Sequence, residues 1–272
     1  MQALPTRRLE SWRYGNLAAL ATVWEQGEGH SRTITVAPGD TGRLDDALIG
    51  SKWHHDRVTA TVQQDGRLTG VIDAGGDDVT TQHYEIILEK GASADLVVLV
   101  HGGRYGRIAI DVTLHERADF KLGGILLAGG AQTAEIVTTV RHAGPGGTSR
   151  QIVRAVAAGG GTASYLGQVA VARAGQKTDA GQSFRALLLD RGATANAKPE
   201  LEIFADDVKC AHGAAIGEID ANALFYLQSR GVPLPAARAL LTRAFLSDAL
   251  ESLDDAARDT IEARVSALMA AL

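Results

Sequence analysis

Apolar and polar residues change rhythm twice along this chain. Up to about residue 30, Leu17, Leu20 and Trp24 recur at helical spacing, and Gly27 with Gly29 supplies a stop. From Thr33 onward the alternation is of β type. Thr33–Val36 predicts a strand, Pro38–Gly42 a turn, and Val58–Val62 with Leu68–Ile72 a hairpin around Gln64-Asp65-Gly66. Between Tyr84 and Phe204 short runs of Val, Ile and Leu recur, mostly every 10–15 residues, and leave through Gly, Ala, Asp or Asn. DLVVLVHGG, AEIVTTVRHAG and SYLGQVAVARAG are examples.

After Gly217 the period returns to that of a helix. Asp220 predicts an N-cap for a helix over Ala221–Arg230 that stops at Gly231. Pro235 suits the first turn of a second helix, with Leu240, Leu241, Ala244 and Phe245 as its apolar stripe. Asp254 or Asp255 caps a third helix through Leu272, with Ile261, Val265 and Leu268 on one face. The chain thus divides into a helical segment (1–30), a β core (31–217) and a helical unit (218–272). Two all-β architectures fit the core equally by periodicity, a sandwich closed by hairpins and a parallel β-solenoid stacking short strands. No strict repeat length separates them.

Composition narrows the setting. A chain of 272 residues with 45% hydrophobic content buries a full core. Net charge is −5 and the pI near 5.9, so there is no electrostatic footprint for nucleic acid. No apolar run approaches the roughly 20 residues that span a bilayer, and the start lacks the apolar stretch of a secretory signal. One cysteine excludes an internal disulfide framework and fits a reducing cytosol. The 31 glycines suit many tight turns.

Candidate chemistry concentrates in Lys198–Gly217, which holds the sole cysteine, Cys210, and His212 two residues on. Thiolate and imidazole bind soft and borderline metals, but two ligands are too few for a closed structural site. The Cys-x-His-Gly step reads as a short connection between a strand-like Leu201–Phe204 and the first tail helix. A lone cysteine is more often a small buried hydrophobe than a reactive group. Glu200, Glu202, Asp206 and Asp207 form an acidic cluster whose plain reading is a solvated strand face. His54-His55, beside Trp53, is assigned to surface or turn packing, and the remaining histidines are dispersed. The glycine clusters lack the phosphate-loop pattern, and no G-x-S-x-G elbow or triad is present, so neither nucleotide binding nor hydrolytic chemistry is indicated.

Two segments carry a family resemblance. KTDAGQSFRALLLDRGATANAKPELEIFADDVKCAHGAAIGEIDANALFYLQSRG (residues 177–231) resembles the C-terminal signature of the SufB/SufD family of iron–sulfur cluster assembly scaffolds, SufD branch. LPTRRLESWRYGNL (residues 4–17) is similar to the family's N-terminal Pro-Thr-Arg…Glu-x-Trp-x-Tyr motif; together they cover about a quarter of the chain. Cys210, His212, Gly213 and Ala214 fall on the family's Cys-Ser-His-Gly-Ala, while Ala211 and Ala215 replace the usual serine and threonine. The resemblance implies a right-handed parallel β-helix and a non-enzymatic scaffold that acts with SufB and the ATPase SufC. It implies an iron–sulfur cluster held transiently at the SufB interface, with His212 as ligand and Cys210 as ligand or support. No nucleotide is expected on this chain, and self-pairing is the expected alternative in isolation. Leu241 and Phe245, with Asp248 at helical spacing, are expected to contact SufC. Two other readings stand beside this one, a β-helical enzyme acting on polysaccharide and a structural interaction protein with an inert cysteine.

Overall fold

A computed structural model describes residues 4–26, 30–48, 54–270 and 272. Its centre is a stack of strands in two parallel sheets. The first sheet contains β1 (Ser31–Val36), β4 (His54–Val62), β6 (Val79–Leu88), β8 (Tyr105–Leu114), β10 (Thr133–His142), β12 (Thr162–Val171) and β14 (Thr194–Ile203), hydrogen-bonded in that order. The second runs from β2 (Thr41–Arg43) through β5 (Arg67–Gly76), β7 (Ser93–Gly102), β9 (Asp119–Ala128), β11 (Thr148–Ala157) and β13 (Asp179–Leu188) to β15 (Lys209–Gly217). β3 (Asp46–Leu48) also pairs with β5. From β4 on the chain alternates between sheets, one strand in each per turn, so each strand pairs with the one two places on. β1 and β2 reach their partners, β4 and β5, three places on because β3 also joins the second sheet. This is the solenoid, and it replaces the predicted hairpin: β4 and β5 lie in opposite sheets.

Alternation of side chains fixes what lies inside. On β6, Tyr84, Ile86 and Leu88 point inward, as do Leu96, Val98 and Val100 on β7, and together they belong to one continuous aliphatic strip. The absence of a strict sequence repeat has a simple cause. His55 and Thr81 are paired at a separation of 26 residues, whereas Ser164 and Asn196 sit 32 apart. Strands β5 through β14 stay at ten residues while the corners lengthen. One corner repeats the same backbone device in successive turns: Asp65, Gly91, Arg117, Gly146 and Lys177 all have φ between +56° and +70°. Gly91 and Gly146 adopt that region freely; the other three do so against a steric penalty.

The outer faces are covered differently. Across the first sheet runs the N-terminal segment, where α1 spans only Leu17–Ala21 and Trp24 belongs to a separate 3₁₀ turn. The predicted stop at Gly27 and Gly29, like Trp53, lies outside the described residues. Trp12 stacks on the Arg107 guanidinium at 4.0 Å, and Arg107 pairs at 2.6 Å with the fully buried Glu135, which also accepts from Tyr105 Oη. Against the second sheet pack the tail helices α3 (Leu234–Ser247) and α4 (Asp255–Met269). Leu246, Ala249, Leu250, Ile261 and Val265 close over Val97, Leu99, Ile125 and Leu127. Gly123 is the close-approach point, since a Cβ there would meet the Ala249 carbonyl at 1.8 Å.

Helix caps form as the sequence predicts: Asp220 caps α2 (Ala221–Ser229), Asp254 caps α4, and Pro235 sits in the first turn of α3. The predicted α3 stripe is displaced. Leu240 and Ala244 face solvent, and Ala237, Thr242 and Leu246 are the buried positions. Packing against the second sheet selects the face, with Leu246 turned into the cluster over Val97, Leu99 and Ile125. α4 stops at Met269, short of the predicted Leu272.

One histidine is enclosed within the solenoid. His142 is fully buried on β10, its Nε2 bonded to Ser149 Oγ at 2.9 Å and its Nδ1 without a partner. Burial alone pulls its pKa down from 6.5 to about 4. The folded state therefore holds the neutral ring, and the stabilisation is complete above the unfolded value and lost as pH falls from 6.5 toward 4. Between pH 7 and pH 5 this group should remove about 2 kcal/mol of stability. Urea unfolding of wild type and His142→Gln at both pH values checks this: the gap between them should narrow by that amount at pH 5, and an unchanged gap would contradict it.

Candidate functional site

The last turn of the solenoid consists of β14 and β15, and no described strand pairs beyond either. β15 is a regular parallel strand on β13, so Cys210 and His212 lie within a strand and not in a short connection. Register places Cys210 beside Ala180, His212 beside Gln182, Ala214 beside Phe184 and Ile216 beside Ala186. Ala180, Phe184 and Ala186 are interior residues, so Cys210, His212, Ala214 and Ile216 share the inward-facing side of the terminal strand. No described strand stacks above them. Cys210 is half-buried against the strip, His212 is exposed, and Ile203, Phe204 and Ile216 are large apolar groups left in solvent.

Thiol and imidazole are thereby presented on one face, two residues apart, at the mouth of an apolar interior. Burial pushes the Cys210 thiol above its usual range, a shift opposed by the Ala180 backbone and assisted by the Asp179 charge. Among the described residues no group of three or more His, Cys, Asp or Glu side chains converges as a metal site. A metal held here would draw its remaining ligands from beyond the described residues.

The acidic cluster points elsewhere. Glu200 pairs with Lys198 at 3.0 Å, and Glu202 accepts from Gln168 at 3.3 Å on the outer face of β14. Asp207 pairs with Lys177, and Asp206 is exposed. His55 lies on β4, not in a turn, bonded to Thr81 Oγ1 at 2.7 Å beneath the N-terminal segment. His83 binds Asp111 and His101 binds Asp73, each at 2.7 Å, on the outer faces. Leu241 and Phe245 are half-buried on α3, where Phe245 packs toward the second sheet and Asp248 is bound by Arg154 at 2.9 Å. The exposed apolar side chains of this region are Phe225, Tyr226, Leu234 and Leu240.

The sequence reading passed over a polar column inside the last turns. Gln151 and Gln182 occupy matched inward positions on β11 and β13, directly in line with His212. Gln151 accepts from Tyr165 Oη, which also bonds Thr138 Oγ1. The signal was present in DAGQSFRALL, where a glutamine holds an inward parity otherwise given to Ala and Phe.

The family model for the SUF system FeS cluster assembly, SufBD core domain, matches residues 32–245. Protein ABCI7, chloroplastic, of Arabidopsis thaliana is 39% identical over 170 residues, 60% of this chain and 35% of that protein. The iron-sulfur cluster assembly protein SufD of Escherichia coli is 30% identical over 185 residues, covering 67% of this chain and 44% of its own length. An iron-sulfur cluster assembly SufBD family protein of Synechocystis is 35% identical over 179 residues, 65% of this chain and 40% of the relative. The chain thus matches between about a third and a half of each of these relatives.

The raised thiol pKa has a direct readout. A protonated, half-buried thiol is a poor nucleophile at neutral pH. Cys210 should react with iodoacetamide several-fold more slowly than a free cysteine at about pH 7.5, with a rate that climbs through and beyond the usual thiol range near 8.5. A rate equal to that of a small-molecule thiol would contradict the burial argument.

Proposed function

The chain belongs to the SufBD core-domain family of the SUF system for iron–sulfur cluster assembly, and we propose that it acts there as a SufD-like scaffold subunit. The observation that carries the reading is the pairing of Cys210 and His212 on the inward side of an uncovered terminal strand. In this reading, residues 31–217 form the scaffold, 1–30 the strap across it and 218–272 a partner-binding unit. The cytoplasm is the proposed compartment, and no described helix is long and apolar enough to cross a membrane.

The unpaired edges of β14 and β15 offer backbone donors and acceptors to another chain. SufB is the proposed partner, and Ile203, Phe204 and Ile216 are the apolar surface its docking would cover. A second copy of this chain is the alternative occupant in isolation. Docking would bring His212 to the subunit boundary. There a neutral imidazole completes a coordination shell begun by the partner's thiolate on the nascent cluster, which is the cargo of the assembly. Cys210, with its thiol held protonated, acts as packing support or as an additional ligand once metal displaces the proton. The chain itself performs no catalysis in this scheme. ATP hydrolysis is assigned to SufC, which contacts the helical tail.

His212→Ala should leave the fold and the subunit association intact while most iron–sulfur absorbance of the reconstituted complex is lost; unchanged absorbance would remove His212 from the site. Cys210→Ser should have the smaller effect. For SufC, deletion of the tail is an unsuitable test, because α3 and α4 cover apolar residues of the second sheet. Leu241 and Phe245 remain proposed anchors, and the exposed Phe225 and Tyr226 extend the surface. Phe225→Ser with Tyr226→Ser should weaken SufC capture by about tenfold, the loss of one well-placed aromatic anchor, without altering the β-type circular dichroism. Full capture by this variant would move the interface off α2.

A further inference from the structure

The inward column on the second sheet reads Gln151, Gln182, His212 from the interior to the open end. Gln182 is 4% exposed, and neither its Oε1 nor its Nε2 has a hydrogen-bond partner. Gln151 is fully buried, with its Nε2 likewise unmatched. Buried amides are almost always paired, because an unpaired one forfeits its hydration without return. The neighbours of Gln182 on its own strand face are Ala180 and Phe184, and Phe184 stacks on Tyr165 at 5.6 Å between centroids. Leucine or methionine would fill this position with less desolvation. Gln151 flanks the amide on the interior side; on the open side the group that can pair with it is the imidazole of His212, which stands on the terminal strand and is exposed.

We infer that Gln182 is a positioning residue for His212. When a partner covers the last turn, the imidazole turns inward and donates one ring N–H to Gln182 Oε1. The hydrogen bond fixes the tautomer and directs the other ring nitrogen toward the bound group, the role that outer hydrogen-bond partners play for metal-ligating histidines. Behind it, Gln151, Tyr165 and Thr138 form a bonded chain that holds the column in place. This inference rests on the assignment of His212 to the assembly site and adds a residue that no part of the Cys-x-His-Gly pattern contains.

Stability and loading should move in opposite directions. Gln182→Met keeps the volume and removes the amide; Gln182→Glu keeps an acceptor oxygen but buries a carboxylate. Each is purified with its SufB and SufC partners and reconstituted with ferrous iron and sulfide, beside wild type and His212→Ala. Thermal unfolding is followed by circular dichroism on each full chain without its partners, the state in which the amide is unpaired. Gln182→Met should melt about 2–4 °C higher and load about tenfold less cluster. Gln182→Glu should melt lower and retain most of the loading. Loading that follows stability, with the methionine variant equal to wild type, would overturn the inference while a defective His212→Ala leaves the site assignment standing. If His212→Ala loads normally, the site assignment fails and this inference with it.

Discussion

In-register parallel stacking is the constraint on which everything else in this molecule depends. From β4 on, each strand pairs residue for residue with the strand two places on, so inward and outward parity is inherited from turn to turn. A one-residue slip would turn the aliphatic strip into solvent. That inheritance allows the corners to vary from turn to turn while the ten-residue strands do not. It also decides the chemistry at the open end. Cys210 and His212 face the same way because β15 takes its parity from β13, and the two residues need no loop of their own to bring them together.

Much of this was legible in the sequence, for identifiable reasons. The β-type runs, the caps Asp220 and Asp254 and the change of period after Gly217 are local signals, and local physics produced them. The hairpin around Gln64-Asp65-Gly66 was misread because a tight turn looks alike whether it returns a strand antiparallel or carries it to a second sheet. Asp65 has φ +56°, a feature shared with the equivalent corners and not a hairpin signature. The apolar stripe on α3 was misplaced because helical spacing allows more than one buried face, and packing against the second sheet chose among them. The Arg107–Glu135 pair and the Gln151–Gln182 column were invisible, since their partners lie about one turn apart at unequal steps.

At the candidate site the sequence supplied the residue types and the structure supplied their setting. A cysteine and a histidine two apart could have pointed anywhere from a loop. On a strand they share a face, and on the terminal strand that face has an apolar interior below and no described strand above. The acidic cluster nearby shows the converse. Glu200 and Glu202 also lie two apart on a strand, but their parity is outward, and they are engaged with Lys198 and Gln168.

A solenoid whose turns touch only their neighbours would fray from its ends, one turn after another. The N-terminal segment works against that. It meets His55 on β4 through Trp24, Arg107 on β8 through Trp12, and Lys198 on β14 through Glu10. Those three strands belong to the near end, the middle and the far end of the first sheet. The segment is therefore a tie-rod laid lengthwise across a stack of plates. A terminal turn that loosens must also release a contact shared with the strap, which is anchored on turns far below it. This makes separate small transitions into a more concerted one and gives the open end a mechanical reference at the opposite end of the molecule.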